Sequence, residues 1–383
     1  MRFLYIAPRY HTNQVPIMEG LLEHGHEVLF LSHYAGGTED YQCVTPVIIG
    51  YSALSDSLWN TIARIKGWSP EQSGQKKAKG GFPPFFKLWR QIKNYRPDVA
   101  ILRERSVYTI VATQICHFLK IPAILYNQSP LWEDEIKNDL PHRLVRRLTP
   151  ARRITPVLGT PGEGKVKEPG ASFVPFVMKP MLAPSQKNYY VDGILRIFAV
   201  GKYEERKNHR MLIEIITEMA ADGNQPVRLT IAGACTTAAH QEFCDEMAAL
   251  VHAGGRAGSI TLLKNLTREQ IFTEYRKADI FVIASTREPA SISQLEAMAH
   301  SLPVICSDTN GTACYVEGGV NGQVFCDNDK ESLREAILDF AGHPERLAAM
   351  GGEGYRTIVE KCGFEAYYQS LGWIMQKHKR DIH

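Results

Sequence analysis

Residues 287–304 read REPASISQLEAMAHSLPV: a breaker-rich turn, an apolar helical stretch, and the start of a strand. Short β-branched and aliphatic runs flank it, near 279–284 and 303–306. Strand, helix and strand at this spacing form the unit from which a parallel sheet covered by helices is built. Working outward, the same alternation opens at ILRIFAVG (194–201), passes through strands near 227–233 and 259–264, and ends near 323–326. A separate alternation fills the first half, with strands near 2–7, 27–32, 98–103, 122–127 and 153–158. Helices are expected there over 15–24, 106–119 and 135–148. The expected fold class is α/β, two Rossmann-like doubly wound domains facing a central cleft, where such folds bind ligands. The first domain is placed at 1–178 and the second at 194–363, joined by a breaker-rich linker at 179–193. Residues 66–84, KGWSPEQSGQKKAKGGFPP, interrupt the first alternation and read as a mobile surface loop.

Composition narrows the function. The 383 residues are 44% hydrophobic and 22% charged, as in a soluble globular protein. No apolar run is long enough to span a bilayer. MRFLYIAP (1–8) enters a strand directly, without the apolar core of a signal peptide, so a cytoplasmic location is expected. The eight cysteines include no Cys-x-x-Cys pair and read as reduced, small hydrophobes. The net charge of +3 divides into +8 over residues 1–185 and −5 over 186–383. A basic half suits an anionic partner. The cations are not interleaved with aromatics, which argues against nucleic acid. A phosphate-bearing substrate, peripheral contact with an anionic membrane, or an ordinary solvated surface all remain open. HRLVRRLTPARR (142–153) is the densest basic run, and Glu133 and Glu135 are candidate partners for it.

Some motifs are set aside. GTPGEGKV (159–166) approaches a phosphate-binding P-loop, but Val166 replaces the magnesium-binding hydroxyl and Pro169-Gly170 stop a helix. DND (327–329) and EDE (133–135) read as the openings of helices, where carboxylates cap and favour the dipole. No metal site is expected, and the thirteen histidines show no metal-ligand spacing. His11 and His33, near the ends of the first two strands, are placed to face the cleft.

Glu288 and Glu296 remain, eight positions apart around a serine-rich turn. One reading is helix capping, since Ser291 with Gln294 and Ser293 with Glu296 both fit a capping box. The other is a ligand site. VGKYEERKNH (200–209) offers a tight turn at Gly201 followed by Lys202, Arg206 and Lys207. LTIAGA (229–234) ends a strand at Gly233, where backbone can approach a ligand. The amides of Ala290, Ser291 and Ile292 at a helix N-terminus make a ready anion site. Glu296 is placed to grip a vicinal diol such as ribose, and Glu288 the hydroxyls beyond the phosphates. Together these parts fit a nucleotide-diphosphate sugar.

The sequence resembles the retaining GT-B glycosyltransferases of the "glycosyl transferases group 1" family, family 4-like, more strongly in its second half. Glu288 and Glu296 match the family's Glu, seven residues, Glu signature, followed by EAMAHSLPVICSD (296–308) and GGVNGQVF (318–325). Gly201, Lys202 and Lys207 match its phosphate motif, and GHEV (25–28) and RPDVAIL (96–102) fit its first domain. Lys202 stands where an arginine is usual, and Pro289, Ala290 and Ser291 replace a usual Gly-Phe-Gly. The glycine pair of the first loop is absent from PRYHTNQVP (8–16). In YNQSP (126–130), Asn127 or Gln128 takes the place of a histidine near the donor sugar.

The resemblance implies metal-independent transfer of a sugar, with retention, from a nucleotide-diphosphate donor, a UDP-sugar favoured. Lys202, Lys207 and Glu288 would be catalytic. Gly201, Gly233, Ala290, Ser291, Ile292 and Glu296 would bind the donor. No cofactor beyond that substrate is implied. The first domain would bind a glycan or lipid-linked acceptor, with His11, Asn127 and Gln128 as its candidates. This places the protein in the cytoplasm, including the inner face of the membrane. Residues 364–383 would form a helix crossing back to the first domain. A non-catalytic nucleotide-sugar-binding scaffold and a related epimerase or phosphorylase are the alternatives.

Overall fold

The computed structural model describes residues 1–36, 41–103, 106–133, 135–136, 139–149, 151–159, 164–222, 226–255 and 258–382. The chain divides into two compact units, Met1–Val177 with Phe364–His383, and Met178–Gly363. The expected α/β class is the one observed.

In the first unit the strands are β1 (Arg2–Ala7), β2 (Glu27–Ser32), β3 (Val47–Ile48), β4 (Val99–Arg103), β5 (Ala123–Tyr126), β6 (Trp132–Glu133), β7 (Arg152–Thr155), β8 (Val166–Lys167) and β9 (Ala171–Phe173). A parallel sheet runs in the order β3-β2-β1-β4-β5-β7-β9. Its order reverses between β1 and β4, so the carboxyl ends of these strands open a crevice suited to a ligand. Helices α1 (Val15–Glu23), α2 (Ala53–Lys66), α3 (Pro70–Gly80), α4 (Phe85–Tyr95), α5 (Val107–Phe118) and α6 (Leu140–Leu148) connect the strands. Phe3, Leu4, Tyr5 and Ile6 of β1 are all buried, which explains its unbroken apolar run.

Two expectations about this unit are corrected. Residues 70–80 of the supposed loop form α3. Ser69 and Gln72 exchange side chain–amide hydrogen bonds at 3.1 and 3.2 Å, and Pro70 occupies the first turn. Lys77 pairs with Asp56 at 2.5 Å, and Gly80 lies so close to Trp59 that an added Cβ would meet its ring at 2.2 Å. The helix expected from 135 is observed over Leu140–Leu148, and upstream of it Trp132 and Glu133 pair with Lys167 and Val166 in an antiparallel ladder. Glu133 is therefore in a strand rather than at a helix start. Val166 is likewise in a strand, so no helix follows the P-loop-like sequence.

The second unit contains β10 (Leu195–Val200), β11 (Val227–Gly233), β12 (Ile260–Lys264), β13 (Ile280–Ile283), β14 (Val304–Ser307) and β15 (Gly322–Phe325). They form a parallel sheet in the order β12-β11-β10-β13-β14-β15. Its helices are α7 (His209–Asp222), α8 (Ala238–Ala253), α9 (Arg268–Lys277), α10 (Ile292–Ala299), α11 (Lys330–Gly342) and α12 (Leu347–Lys361). Asp329 caps α11, its carboxylate accepting from the Ser332 amide at 3.0 Å. Residues 179–193 are bonded into this unit. Lys187 is buried, its ammonium donating to the carbonyls of Tyr275, Arg276 and Ala278 at the end of α9. The last helix, α13 (Phe364–Ile382), belongs to the first unit, where Phe364 packs on Gly20 and Tyr367 meets Tyr5 at 3.1 Å between hydroxyl oxygens. All eight cysteines are free thiols. Among the described residues, no helix is long and apolar enough to cross a membrane.

Candidate functional site

The second sheet reverses order between β10 and β13, and the loops leaving these two strands meet there. After β10, the chain turns at Gly201 and passes through Glu205–Lys207, a single 3₁₀ turn. The Lys207 side chain packs closely over Gly201, where an added Cβ would stand 3.0 Å from it. After β13, the Thr286 amide donates to the Arg206 carbonyl at 3.0 Å, tying the two loops together. Arg287 takes a left-handed backbone (φ 47°), held by its amide's bond to Thr309 Oγ1 at 2.9 Å. The next residue is Glu288.

Glu288 is 9% exposed and accepts two charged hydrogen bonds on Oε2, from Lys207 Nζ at 2.5 Å and Arg206 Nη1 at 2.7 Å. Burial pushes its carboxyl up, but Lys207 and Arg206 together outweigh burial and hold it below the ordinary range. Arg206 also pairs with Glu204 at 3.0 Å. Lys202 is exposed on the same loop, and its carbonyl accepts from His209 Nε2 at 3.2 Å. Burial pushes the His209 imidazole down to about 4, so it is neutral and donates through that nitrogen.

The serine-rich turn is part cap and part framework. Ser291 is the N-cap of α10, its Oγ accepting from the Gln294 amide at 3.2 Å. The Gln294 side chain does not close a capping box. It is fully buried and joins Thr312 and Asn310, at 2.8 Å to the Thr312 carbonyl and 2.6 Å to Asn310 Nδ2. Nor do Ser293 and Glu296 form a box, because Glu296 Oε2 lies 3.3 Å from the Tyr275 hydroxyl. Burial raises the Glu296 carboxyl, opposed by Arg268 and Tyr275.

The expected trio of free amides is corrected as well. The Ser291 amide donates to Thr312 Oγ1 at 3.3 Å, so Ala290 and Ile292 remain as the amides without an acceptor among the described residues. Gly233 proves to be a packing glycine. An added Cβ would meet the Tyr203 ring at 2.3 Å and the Gly201 carbonyl at 2.7 Å. Tyr203 is fully buried there, bonded to the carbonyls of Ile231 and Leu263.

In the first unit, His11 follows β1 and Asn127 follows β5, both at the carboxyl edge of their sheet. His11 Nε2 accepts from Arg9 at 3.0 Å, while its buried Nδ1 has no partner among the described residues. Burial, together with Arg103 and Arg9, pushes this imidazole down to about 4. Asn127 Oδ1 accepts from the buried Arg153 at 3.0 Å, and its Nδ2 is likewise without a partner among those residues. Gln128 beside it is half-buried. Arg153 pairs with Glu168 at 2.6 Å and with Glu133 at 3.8 Å, so part of the basic run is internally neutralised. His33 is a core residue, stacked on Tyr108 with ring centroids 3.6 Å apart. Among the described residues, no group of three or more His, Cys, Asp or Glu is placed to hold a metal ion.

Comparison with known proteins adds to this geometry. Residues 187–357, which contain both glutamates and all three cations, match the family described as Glycosyl transferases group 1. Over those residues the second unit is similar to the domain of that family. Among relatives, the lipopolysaccharide core biosynthesis mannosyltransferase LpcC of Rhizobium leguminosarum bv. viciae is 25% identical over 174 residues, 45% of this chain and 48% of that protein. A D-inositol 3-phosphate glycosyltransferase of Nocardia farcinica is 24% identical over 176 residues, 46% of this chain and 38% of that protein. The matched region thus spans about half or less of these relatives. In fold, the chain is similar to a glycosyltransferase from Rickettsia africae, with a TM-score of 0.72 at 13% identity over 98% of each chain. It is also similar to Anabaena Alr3699/HepE in complex with UDP-glucose, with a TM-score of 0.67 at 12% identity over 98% of this chain and 100% of that one. These likenesses establish the GT-B fold. The site residues read from the sequence did not include Arg206, which contacts Glu288, or Tyr275, which contacts Glu296. Arg206 was visible as a cation beside Lys207; Tyr275, on α9, had no local signal.

Proposed function

We propose that the protein is a glycosyltransferase that moves a sugar, with retention and without a metal ion, from a nucleotide-diphosphate donor to a glycan or lipid-linked acceptor. The observation that carries this reading is the Glu288–Lys207–Arg206 cluster at the reversal of the second sheet, inside the segment that matches the family. A UDP-sugar is the favoured donor, supported by the fold shared with the UDP-glucose-bound Anabaena protein. The proposed place of action is the cytoplasm.

The proposed chemistry follows from charge. Breaking the bond between sugar and phosphate leaves negative charge on the diphosphate and positive charge on the anomeric carbon. Lys207, Lys202, Arg206 and the amides of Ala290 and Ile292 would stabilise the diphosphate. An arriving diphosphate competes with Glu288 for Lys207 and Arg206. The carboxylate is then released to accept hydrogen bonds from the donor sugar and to face the developing positive charge. Glu296 would accept from the ribose diol, with Tyr275 orienting it. His11 and Asn127, each with a buried donor atom that has no partner among the described residues, are the acceptor-side candidates.

The test is incubation with UDP-glucose, UDP-N-acetylglucosamine and GDP-mannose in EDTA with water standing in for the acceptor, following nucleotide release and, by NMR in the first minutes before mutarotation, the anomeric configuration of the freed sugar. Release with retained configuration, abolished in Glu288→Ala, is the expected result. Tight donor binding with no turnover of any donor would instead favour the scaffold reading.

A further inference from the structure

Three neighbouring helices of the first unit contain no aspartate or glutamate: α4 is FFKLWRQIKNY, α5 is VYTIVATQICHF and α6 is LPHRLVRRL. Between them α4 and α6 hold six lysines and arginines. Lys87 is spent on the carbonyls of Ile48 and Ile49, whereas Arg90, Lys93, Arg143 and Arg147 are exposed.

The same helices turn large apolar side chains outward. Phe86 is 85% exposed, Phe118 74%, Leu140 76% and Leu144 54%. Phe86 and Phe118 are joined by a chain of ring contacts. Phe86 contacts Phe85 with ring centroids 5.5 Å apart, Phe85 contacts Trp89 at 5.8 Å, and Trp89 contacts Phe118 at 5.1 Å. The Gln114 side chain of α5 donates to the Leu148 carbonyl, which joins α6 to this group. Along α6, Leu140, Leu144 and Leu148 recur every four residues and form one stripe, flanked by Arg143 and Arg147. Large apolar side chains gathered on adjacent helices and exposed to water are unfavourable for a protein that leaves them uncovered.

We propose that α4, α5 and α6 seat the protein on an anionic lipid bilayer. Phe86, Phe118 and the leucine stripe of α6 enter the acyl boundary, while Arg90, Lys93, Arg143 and Arg147 meet the headgroup phosphates. Charge complementarity selects this occupant. Bulky apolar groups beside exposed cations, with no carboxylate along three helices, match the chemistry of an interfacial anchor. This contact is peripheral, in keeping with helices too short or polar to cross. It does not depend on the donor chemistry proposed above.

The test is flotation of the full chain with phosphatidylcholine vesicles and with vesicles in which phosphatidylglycerol replaces a third of that lipid. Binding to the anionic vesicles only, weakened by salt, is expected. Phe86→Ser with Phe118→Ser should lower partitioning about tenfold or more. Arg90→Glu with Arg147→Glu should lower it to a similar extent, about tenfold. These residues are exposed, so both pairs should keep the thermal midpoint and the response to nucleotide. Equal binding to the two vesicles, no binding, or indifference to both pairs would overturn the proposal. So would a concentration-dependent dimer, dissociated by the phenylalanine pair, in a protein that ignores vesicles; the face would then join copies of this chain.

Discussion

Replacing Lys207 by alanine removes the nearer of the two cations on Glu288. The Lys207 and Glu288 side chains are 13% and 11% exposed and the contact is 2.5 Å, so the carboxylate is left buried. Breaking a fully buried pair on one side costs about 3–5 kcal/mol. Here Arg206 remains at 2.7 Å, but its side chain is 41% exposed and its attraction is partly screened. The loss should therefore approach that of one charged hydrogen bond, about 1.5–3 kcal/mol. For a cooperative unit the size of 178–363, each kcal/mol moves the melting point by about 2–4 °C. Thermal unfolding followed by circular dichroism should show a fall of about 3–12 °C. Turnover should fall further, by about a hundredfold or more, as when an oxyanion-stabilising donor is lost. Measured well below the melting point, that loss is catalytic rather than structural. Adding Glu288→Gln to Lys207→Ala removes the stranded charge, so it should restore part of the melting point but no activity. A melting point lowered by under about 1 °C, with a rate loss under about threefold, would refute both roles of Lys207.

The other predictions concern the second carboxylate, the packing glycine and acid. Glu296→Gln should weaken donor binding about tenfold or more with a smaller effect on kcat, read by calorimetric titration. Unchanged affinity would remove Glu296 from the ribose. Gly233→Ala drives a methyl group into the Tyr203 ring and should destabilise by about 1–3 kcal/mol in urea unfolding, a loss that no contact with ligand is needed to explain. Acid should destabilise the fold in two stages. Burial lowers His11, His209 and His300 to about 4 and His33 to about 3, below their unfolded values. The unfolded chain then binds more protons, so stability held above pH ~6.5 erodes as the pH falls towards ~4. Glu288, also lowered when folded, adds a further loss through and below the ordinary carboxylate range, and Lys207→Ala should flatten that part of the profile. A stability flat from neutral pH to ~4 would contradict the histidine assignment.

Much of the architecture was legible because parallel strands buried on both faces leave unbroken aliphatic runs, as in β1 and β13. Misreadings came where a partner lay far away in sequence. Glu133 was read as part of a helix opening, but β8, more than thirty positions later, pairs with it in a strand. The glycines and lysines of 66–84 looked like a loop, yet Ser69 caps α3 and Trp59 requires the bare Cα of Gly80. In the site, the residue types and spacing were legible, but their hydrogen bonds were not. Ser293 and Glu296 have capping-box spacing, and Tyr275 on another helix takes the carboxylate. Gly233 resembled a ligand-approach point, and Tyr203 fills that space. Asn127 was read for the acceptor, and Arg153 holds one of its two polar atoms.

Thermal denaturation in EDTA with UDP, GDP, UDP-glucose, UDP-N-acetylglucosamine and GDP-mannose, on the wild type and Lys207→Ala, tests the central claim most directly. The account predicts a selective rise with one nucleotide and its sugar conjugates, without metal, that is reduced or lost in Lys207→Ala. No rise with any of the five, or a rise that Lys207→Ala leaves intact, would contradict a nucleotide-diphosphate site built on Glu288, Lys207 and Arg206.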